Sequence, residues 1–238
     1  MTTATGKIYL IPITLGDSEP LDVLPLLVKN TILSITDYIV ENEKTARKFI
    51  KSICPEVAQS TLAMQTLNKH TPIEEHLRML QACLKGRNLG IMSESGCPGV
   101  ADPGAAIVKL AHELGIRVIP LVGPSSILLA LMASGMNGQS FAFNGYLPID
   151  KTEKKTALKN YEKRSADLNQ TQIFIETPYR NNKLLEDMLQ TLQLSTYLCI
   201  ASDITLSSEY IKTLRIQDWK KTKIDLHNRP TIFILHKL

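Results

Sequence analysis

The stretch SESGCPGVADPG, residues 93–104, decides how this sequence is interpreted. It follows the short apolar run Leu89-Gly90-Ile91-Met92, which is typical of a buried strand, and it leads into a helical pattern that starts near Gly104. Its glycines let the backbone approach a ligand closely, and the start of a helix offers N–H groups that can receive an anion. The stretch is therefore either a turn between a strand and a helix or the floor of a ligand site.

The same order of strand, turn and helix occurs twice more in the first half of the chain. Residues 7–14 and 117–122 are apolar runs typical of strands, and each ends in a turn that contains proline and glycine. Such regular alternation predicts a parallel sheet covered by helices, in which ligands bind at the carboxyl ends of the strands. We therefore expect three turns to converge on one crevice: residues 12–17, 93–104 and 122–126.

The pattern between the first and second of these turns is less regular. Residues 20–30 have apolar side chains at helical spacing, with Pro25 expected in the first turn of the helix, where its missing N–H costs little. Residues 32–40 are typical of a second strand, and an amphipathic helix is expected from Glu43 onward.

The second part of the chain has a different order of predicted helices and strands. A basic helix is expected from Thr152, a strand over residues 172–176, and three strand-like segments follow one another with short turns near the C-terminus. This succession predicts a mixed or antiparallel sheet. The fold class is thus α/β with two domains, which we place at residues 1–148 and 149–238.

Composition sets broad limits on the class of protein. The 238 residues are 44% hydrophobic and 21% charged, which is the balance of a folded chain, and no apolar run approaches the roughly 20 residues of a membrane-spanning helix. No signal-peptide layout stands at the N-terminus, and the cysteines form no Cys-x-x-Cys pair. The expectation is a cytoplasmic protein with reduced thiols and without a metal site or membrane partner. The cysteines are Cys54, Cys83, Cys97 and Cys199.

The positive charge is unevenly placed, although the net charge is only +4. Residues 151–164 and 212–229 are both rich in lysine and arginine. Each stretch is either a solvated surface or a surface that faces the phosphates of a nucleic acid. Aromatic residues are too sparse there for a platform on which bases stack.

Several familiar sites are excluded by their motifs. No Gly-x-Gly-x-x-Gly follows a strand, and no Gly-x-x-x-x-Gly-Lys-Ser/Thr occurs, so neither a dinucleotide-binding fingerprint nor a P-loop is present. The segment Gly123-Pro124-Ser125-Ser126-Ile127 lacks the second glycine of a hydrolase elbow.

Three segments together resemble a known family: IMSESGCPGVADPG, VIPLVGPSSILLALMASGM and FAFNGYLP. They are similar to the tetrapyrrole-methylase-like, or class III, S-adenosylmethionine-dependent methyltransferases. Within these they most resemble the ribosomal RNA small subunit methyltransferase I branch, whose members methylate a ribose 2'-hydroxyl of a cytidine. The resemblance extends from about Lys7 to the C-terminus and is strongest between residues 89 and 149.

The resemblance implies two α/β domains, a cleft between them that holds S-adenosyl-L-methionine, and a cytoplasmic homodimer that acts on ribosomal RNA. It also implies roles for particular residues. The positions that match cofactor-binding segments of the family are Pro12, Ser93, Glu94, Gly96, Val100, Ser125, Ser126, Glu176, Thr177, Ala201, Pro230 and Thr231.

The acceptor side departs from the family's pattern. The acidic position of the main motif is Glu94 where aspartate is usual, and the stretch after the second strand has Asn42 and Lys44 where an acid and an arginine are usual. Lysine is a point charge and lacks the planar fork of arginine. Glu41 is nevertheless retained as a candidate general base, and Lys44 or Arg47 is a candidate to stabilise the charge that develops on the acceptor. Arg47 and Lys48 are candidate substrate contacts.

The departures leave the acceptor open. One alternative to RNA is a small molecule such as a tetrapyrrole-like ring, whose acidic carbon would need less help from a base. Another is a protein that binds the cofactor but has no methyltransferase activity.

Overall fold

The computed structural model describes residues 5–68 and 70–237. The chain divides into two compact units, Met1–Ser125 and Ser126–Leu238, and each is built around one five-stranded sheet. The α/β fold class expected from the alternating pattern is confirmed in both units.

The sheet of the first unit is entirely parallel, with strand order β3-β2-β4-β1-β5. Its strands are β1 (Lys7–Leu10), β2 (Asp37–Val40), β3 (Ala63–Thr66), β4 (Leu89–Met92) and β5 (Arg117–Pro120). Its helices are α1 (Pro20–Val23), α2 (Leu26–Leu33), α3 (Glu43–Ile53), α4 (Ile73–Met79), α5 (Gln81–Leu84) and α6 (Gly104–Glu113). Because all strands run in the same direction, the turns that follow β1, β2, β4 and β5 lie at the same edge.

Close packing around Gly90 determines how β4 fits into the centre of this sheet. Gly90 pairs in register with Tyr38 on one side and with Tyr9 on the other. A Cβ atom at Gly90 would lie 2.7 Å from the ring of Tyr38 and 2.8 Å from Ile11. The buried Tyr38 ring therefore occupies the space that any larger residue at position 90 would need.

Two sequence expectations for the first unit were wrong in detail. The helix expected over residues 20–30 is broken into α1 and α2, because Pro25 has an extended backbone (φ −61°, ψ 148°) and stands at the N-terminal cap of α2. The strand expected over residues 32–40 is limited to Asp37–Val40, since its first residues complete α2. The edge strand Ala63–Thr66 was not foreseen.

The second unit contains a mixed sheet with strand order β6-β7-β10-β8-β9, as expected for this part of the chain. β6 and β7 are parallel, and the remaining pairs are antiparallel. Its strands are β6 (Phe141–Tyr146), β7 (Thr171–Ile175), β8 (Tyr197–Ser202), β9 (Tyr210–Arg215) and β10 (Thr231–His236). Its helices are α7 (Ser126–Ser134), α8 (Lys151–Leu168), α9 (Asn181–Thr191) and α10 (Ile216–Trp219).

The division between the compact units lies earlier in the chain than residue 148. β6 forms hydrogen bonds with β7 and is therefore part of the second sheet. α7 packs on β8, β9 and β10, so it also belongs to the second unit. The apolar pattern of a helix does not specify which of two sheets the helix packs on. The sequence of residues 126–146 therefore did not indicate which unit they belong to.

A membrane-spanning helix must be both long and apolar. No helix among the described residues meets both requirements.

Candidate functional site

The three turns singled out in the sequence converge in the first unit. The N–H of Ile13 donates to the carbonyl oxygen of Gly96 at 3.0 Å, and the hydroxyl of Ser95 donates to the carbonyl oxygen of Leu15 at 3.4 Å. The thiol of Cys97 donates to the carbonyl oxygen of Pro124 at 3.4 Å. The turn after β4 thus lies between the turns after β1 and β5, at the carboxyl edge of the sheet.

Glycine is required at two positions where these turns meet. Gly96 has φ +69°, and a Cβ there would lie 3.1 Å from Leu15 and 3.2 Å from the carbonyl oxygen of Pro124. At Gly123 a Cβ would lie 2.2 Å from the Cβ of Pro12. Pro12, one of the predicted cofactor residues, therefore packs directly on the backbone of the turn after β5.

Asp102 organises the second half of the turn after β4. Its carboxylate accepts from the N–H of Gly99 at 2.8 Å and from the N–H of Gly104 at 2.7 Å, which is the first residue of α6. Burial raises the pKa of Asp102, and these two backbone donors lower it. The Asp102 carboxylate therefore joins the turn to the first residue of α6.

The turn after β4 forms one wall of a pocket of about 400 Å³, which we call the Val100 pocket. It is lined by Leu10, Cys97, Pro98, Gly99, Val100, Ala105, Val108, Pro120 and Leu121. Val100 itself is half-exposed at 51%. A mainly apolar lining beside exposed backbone and a volume of this size are typical of sites for small molecules.

A second pocket of about 380 Å³, which we call the Lys48 pocket, lies between the turn after β1 and helix α3. Its polar lining includes Thr14, Asp17, Ser18, Thr45, Lys48, Ser52 and Glu94. Nζ of Lys48 lies 3.4 Å from Oδ1 of Asp17. Two predicted residues, Lys48 and Glu94, are therefore brought together here.

Glu41 follows β2 and is held against the turn after β4. Its Oε1 accepts from the N–H of Glu94 at 3.2 Å. Burial raises the pKa of Glu41, the N–H of Glu94 lowers it, and the negative charges of Asp102 and Glu94 raise it further. Raised carboxyl pKa values are common where a carboxylate accepts a proton in catalysis.

Asn42 and Lys44, the residues after β2 that depart from the family's pattern, have different surroundings. The side chain of Asn42 accepts from the N–H groups of Lys44 and Thr45, which caps the N-terminus of α3. Asparagine serves this purpose as well as aspartate does. The side chain of Lys44 is exposed, and no carboxylate of the described residues lies within 4.0 Å of it.

Arg47 is occupied within the unit. Its Nε and Nη2 donate to Oε1 of Glu43 at 2.9 and 2.7 Å, and it also donates to the carbonyl oxygens of Gln59 and Leu62. These bonds tie α3 to the segment before β3. The substrate contact expected of Arg47 would require it to leave these partners.

The predicted serines are placed differently from one another. Ser93 is buried, and its hydroxyl donates to the carbonyl oxygen of Ser95 at 3.1 Å, which stabilises the turn after β4. Ser125 is the last residue of the first unit, and Ser126 is the first residue of α7 in the second.

In the second unit, Glu176 and Thr177 form a turn at the end of β7. The buried Oε1 of Glu176 accepts from the N–H of Thr177 at 2.7 Å and from Nε and Nη2 of Arg180 at 3.1 and 3.0 Å. The carboxylate therefore fixes the shape of the turn. Any cofactor contact at this position falls to the backbone and to the half-exposed Thr177.

The other predicted residues of the second unit lie at the same edge of its sheet. Ala201 pairs with Ile232, and Ser202 pairs with Thr231, whose hydroxyls are 2.8 Å apart. The carbonyl oxygen of Pro230 accepts from the N–H of Asp203 at 3.0 Å. The ends of β7 and β8 and the start of β10 thus meet, and this brings together Glu176, Thr177, Ala201, Pro230 and Thr231.

Three further residues at this edge were missed. Asp203 has φ +50° and accepts from Nε of Arg229 at 2.8 Å. Asn181 is fully buried and donates to the carbonyl oxygen of Arg229 at 2.6 Å, and its Oδ1 has no hydrogen-bond partner among the described residues. A non-glycine residue with positive φ is a sign of a special site, but it is not visible in a sequence.

A metal ion needs several ligating side chains in one place. The described residues contain no group of three or more histidine, cysteine, aspartate or glutamate side chains that could hold one.

The fold is similar to those of several solved structures. The structure of the methyltransferase CobJ has a TM-score of 0.66 and is 16% identical, with 98% of this chain and 95% of that chain covered. Uroporphyrin-III-C-methyltransferase from Thermus thermophilus has a TM-score of 0.57 and is 18% identical, with 98% of this chain and 92% of that chain covered. Diphthine synthase has a TM-score of 0.65 at 13% identity, with 96% and 88% covered. The chain therefore has the tetrapyrrole methylase fold.

Sequence relatives narrow this class further. The ribosomal RNA small subunit methyltransferase I of Escherichia coli O157:H7 is 30% identical over 206 residues, which are 87% of this chain and 68% of the relative. That of Buchnera aphidicola subsp. Schizaphis graminum is 28% identical over 236 residues, 97% of this chain and 78% of the relative. The Halalkalibacterium halodurans relative of the same name is 29% identical over 204 residues, which are 86% of this chain and 66% of the relative. The chain belongs to the ribosomal RNA small subunit methyltransferase I family.

A scan against models of protein families finds no match for the chain.

Proposed function

We propose that this protein transfers the methyl group of S-adenosylmethionine to a ribose 2'-hydroxyl of small-subunit ribosomal RNA. The observation that carries the proposal is the convergence of the turns after β1, β4 and β5 around Gly96, beside the Val100 pocket. Family membership supports the choice of RNA, since the relatives are named for ribosomal RNA. A solved neighbour of the same fold was crystallised with S-adenosyl homocysteine, which supports the choice of cofactor.

The residues of the first unit fit this cofactor. Gly96 lets the turns after β1, β4 and β5 pack against one another, since a Cβ there would lie 3.1 Å from Leu15 and 3.2 Å from the carbonyl oxygen of Pro124. The Val100 pocket offers an apolar wall beside the backbone of residues 97–100. Pro12, Ser93, Glu94, Gly96, Val100 and Ser125 are the residues we assign to the cofactor here. S-adenosylmethionine, when bound, supplies a methyl group that is electrophilic because it is attached to a sulfonium.

The second unit contributes a separate group of residues to the same proposal. Its assigned positions are Ser126, Glu176, Thr177, Ala201, Pro230 and Thr231, and we add Asn181 because its buried Oδ1 lacks a partner among the described residues. A buried acceptor without a donor is costly, so a ligand that donates to it would be stabilised. The adenosine part of the cofactor carries such donors.

The Lys48 pocket is assigned to the acceptor nucleotide. Its polar hydroxyl-rich lining suits a ribose and phosphate, and Lys48 is the exposed cation at its rim. Arg47 is held by Glu43 and by two backbone carbonyl oxygens, whereas Lys48 has an exposed ion pair with Asp17, which is a weak type of interaction. We therefore assign the phosphate contact to Lys48 and give Arg47 the task of holding α3 in place.

Catalysis then consists mainly of alignment and of removal of one proton. A ribose hydroxyl is a weak nucleophile, so a base assists the loss of its proton as the oxygen attacks the methyl carbon. Glu41 is the proposed base, because its carboxylate is partly buried and its pKa is raised. Lys44 is proposed to stabilise negative charge on the acceptor oxygen, and exclusion of water from the site protects the in-line displacement.

The protein is proposed to act as a homodimer in the cytoplasm, where its ribosomal substrate is found. Exposed apolar side chains on one face of α7, Leu128 at 50% and Met132 at 77%, support an interface there. A Met132→Glu variant should sediment as a monomer, whereas the unchanged protein should sediment as a dimer. A monomeric unchanged protein would refute this part of the proposal.

Methylation of a small tetrapyrrole-like molecule, or cofactor binding without activity, remain as outcomes of the test. The likeness to CobJ and to uroporphyrin-III-C-methyltransferase concerns the fold, which is shared by both acceptor classes. Deletion of the gene, followed by mapping of ribose methylation in small-subunit RNA, separates the alternatives. Loss of one 2'-O-methyl group supports the RNA acceptor, and an unchanged methylation map excludes it.

A further inference from the structure

Helix α8 of the second unit carries a ridge of lysines that the proposed chemistry does not use. The lysines are Lys151, Lys155, Lys159 and Lys163, at successive intervals of four residues. All four are exposed. Side chains four apart are neighbours on a helix, about 6 Å apart along the axis at 1.5 Å per residue, so the ridge is about 18 Å long.

The ridge does not stabilise the helix that carries it. Elsewhere the charges at this spacing are complementary, as in Glu43–Arg47, Lys109–Glu113 and Lys183–Asp187. On α8, three consecutive pairs four residues apart have the same charge, which is unfavourable. Of the four lysines only Lys163 has a carboxylate within 4.0 Å among the described residues, namely Asp167. An arrangement that costs stability points to a role in binding.

α8 is held firmly by its other face. The buried Nζ of Lys154 lies 3.2 Å from Oδ2 of Asp187 on α9. The buried carboxylate of Glu162 accepts from the N–H of Gln193 at 2.8 Å and from the hydroxyl of Thr196. Both of these inward-pointing charged side chains thus have partners, and the exposed face keeps its positive charge on a rigid support.

The exposed face has the chemistry of a phosphate-binding surface. Its neutral positions between the lysines are polar, Thr152, Thr156 and Asn160, so it lacks the apolar face by which helices enter a membrane surface. The aromatic ring of Tyr161 is turned inward, where its centroid is 5.0 Å from that of Phe174. Without an aromatic platform, the ridge can contact the backbone of a nucleic acid but cannot stack on its bases.

We infer that the lysine ridge of α8 binds the phosphate backbone of RNA outside the acceptor pocket and anchors the substrate without reading its sequence. This inference rests on the proposed RNA acceptor. Each phosphate contact releases counterions, so the contribution of the ridge should decline as the salt concentration rises.

The test replaces Lys151, Lys155 and Lys159 together by glutamine. Binding to small ribosomal subunits from a strain that lacks this protein is measured across a range of salt concentrations. The variant should bind roughly 10- to 100-fold more weakly at about 0.1 M salt, and the slope of log K against log salt should fall by about one per lysine. Its affinity for S-adenosylmethionine should be unchanged, and its melting temperature should be equal or higher because like charges are removed.

A matched control replaces Lys51, Lys85 and Lys109 by glutamine, since these are three exposed lysines outside both basic stretches of the sequence. Equal losses in both triple variants would show that net charge matters rather than the ridge, and would overturn the inference. The inference would also be overturned if the α8 variant bound the subunits as tightly as the unchanged protein does. It would be overturned too if the α8 substitutions weakened binding only to phosphatidylserine vesicles and not to the subunits. A parallel assay of methyl transfer by the unchanged protein to the same subunits tests the proposed function separately. Absence of methylation would refute the proposed function, whereas methylation together with normal binding by the α8 variant would refute only the inference.

Discussion

The backbone N–H of Glu94 donates to Oε1 of Glu41 at 3.2 Å, which connects the turns after two neighbouring strands, β2 and β4. The negative charge of the Glu94 side chain disfavours ionisation of Glu41 and so raises its pKa. Burial of Glu41 acts in the same direction and is the larger cause. The turn that contains Glu94 is thus both a wall of the Lys48 pocket and an influence on the proposed base.

The pH dependence of methyl transfer should reveal Glu41. A base must be unprotonated, so kcat should fall on the acid side through a pKa above the ordinary value of 4.5. Glu41→Gln should lower kcat by about 10²- to 10⁴-fold and abolish this acid limb, while cofactor affinity measured by calorimetry stays the same. Glu94→Gln should shift the limb to lower pH, because one of the charges that raises the pKa of Glu41 is removed. An unchanged pH profile in both variants would exclude Glu41 as the base.

The raised pKa of Glu41 should also make the stability of the protein depend on pH. When the pKa of a carboxyl group is higher in the folded than in the unfolded protein, the group favours the folded state at pH values below its unfolded-state pKa. This contribution is lost as the pH rises through the folded-state pKa. Glu41→Gln should therefore melt at an equal or higher temperature than the unchanged protein at about pH 7 to 8. The difference should disappear below about pH 4.5. Calorimetric melting at both pH values checks the sign, and a variant that is less stable only at neutral pH would contradict it.

Comparison of Gly96→Ala with Gly115→Ala should separate displacement of the turn after β4 from simple backbone strain. Gly96 and Gly115 have φ of +69° and +68°, but a Cβ meets nothing within 4 Å at Gly115. Both alanine variants should lose about 1–2 kcal/mol of unfolding free energy, because alanine is strained at positive φ. Only Gly96→Ala should also weaken binding of S-adenosylmethionine in calorimetry. Equal cofactor affinities in the two variants would show that the cofactor does not lie against this turn.

Arg47 and Lys48 are adjacent in sequence but should differ in their effects. Arg47→Gln removes the bonds to Glu43, Gln59 and Leu62 and should cost about 1–2 kcal/mol in denaturant unfolding. Lys48→Gln should leave stability unchanged and should raise the KM for the RNA substrate. The opposite pattern, with a stable Arg47 variant that fails to bind RNA, would return the phosphate contact to Arg47.

Parts of the fold and of the site could be predicted from local pattern alone. The strands β1, β4 and β5 are short apolar runs, each followed by glycine or proline, and parallel topology then brings their turns to one edge. The contact between the turns of Ile13 and Gly96 follows from this topology, so the sequence was enough to expect it. The residues of the second unit were located by resemblance to a family, and the structure brings their backbones together.

Other features depend on contacts that sequence spacing does not show. β3 is an edge strand whose four residues, Ala63–Thr66, are at most half-buried, so it lacks the apolar run that marks a strand. The partners of Arg47 are 12 and 15 residues away, and the bond between Asp203 and Arg229 spans 26 residues. Pattern can identify such residue types as candidates, but only tertiary structure shows which are already occupied.

Transfer of labelled methyl groups tests the central claim most directly. Purified protein is incubated with methyl-labelled S-adenosylmethionine and small ribosomal subunits from a strain that lacks the gene, and the labelled nucleotide is then identified. We expect one methyl group per subunit, on the ribose 2'-hydroxyl of a cytidine in the small-subunit RNA, and a strong reduction with Glu41→Gln. Label on a base, on ribosomal protein, or on no component of the subunit would contradict the proposed function.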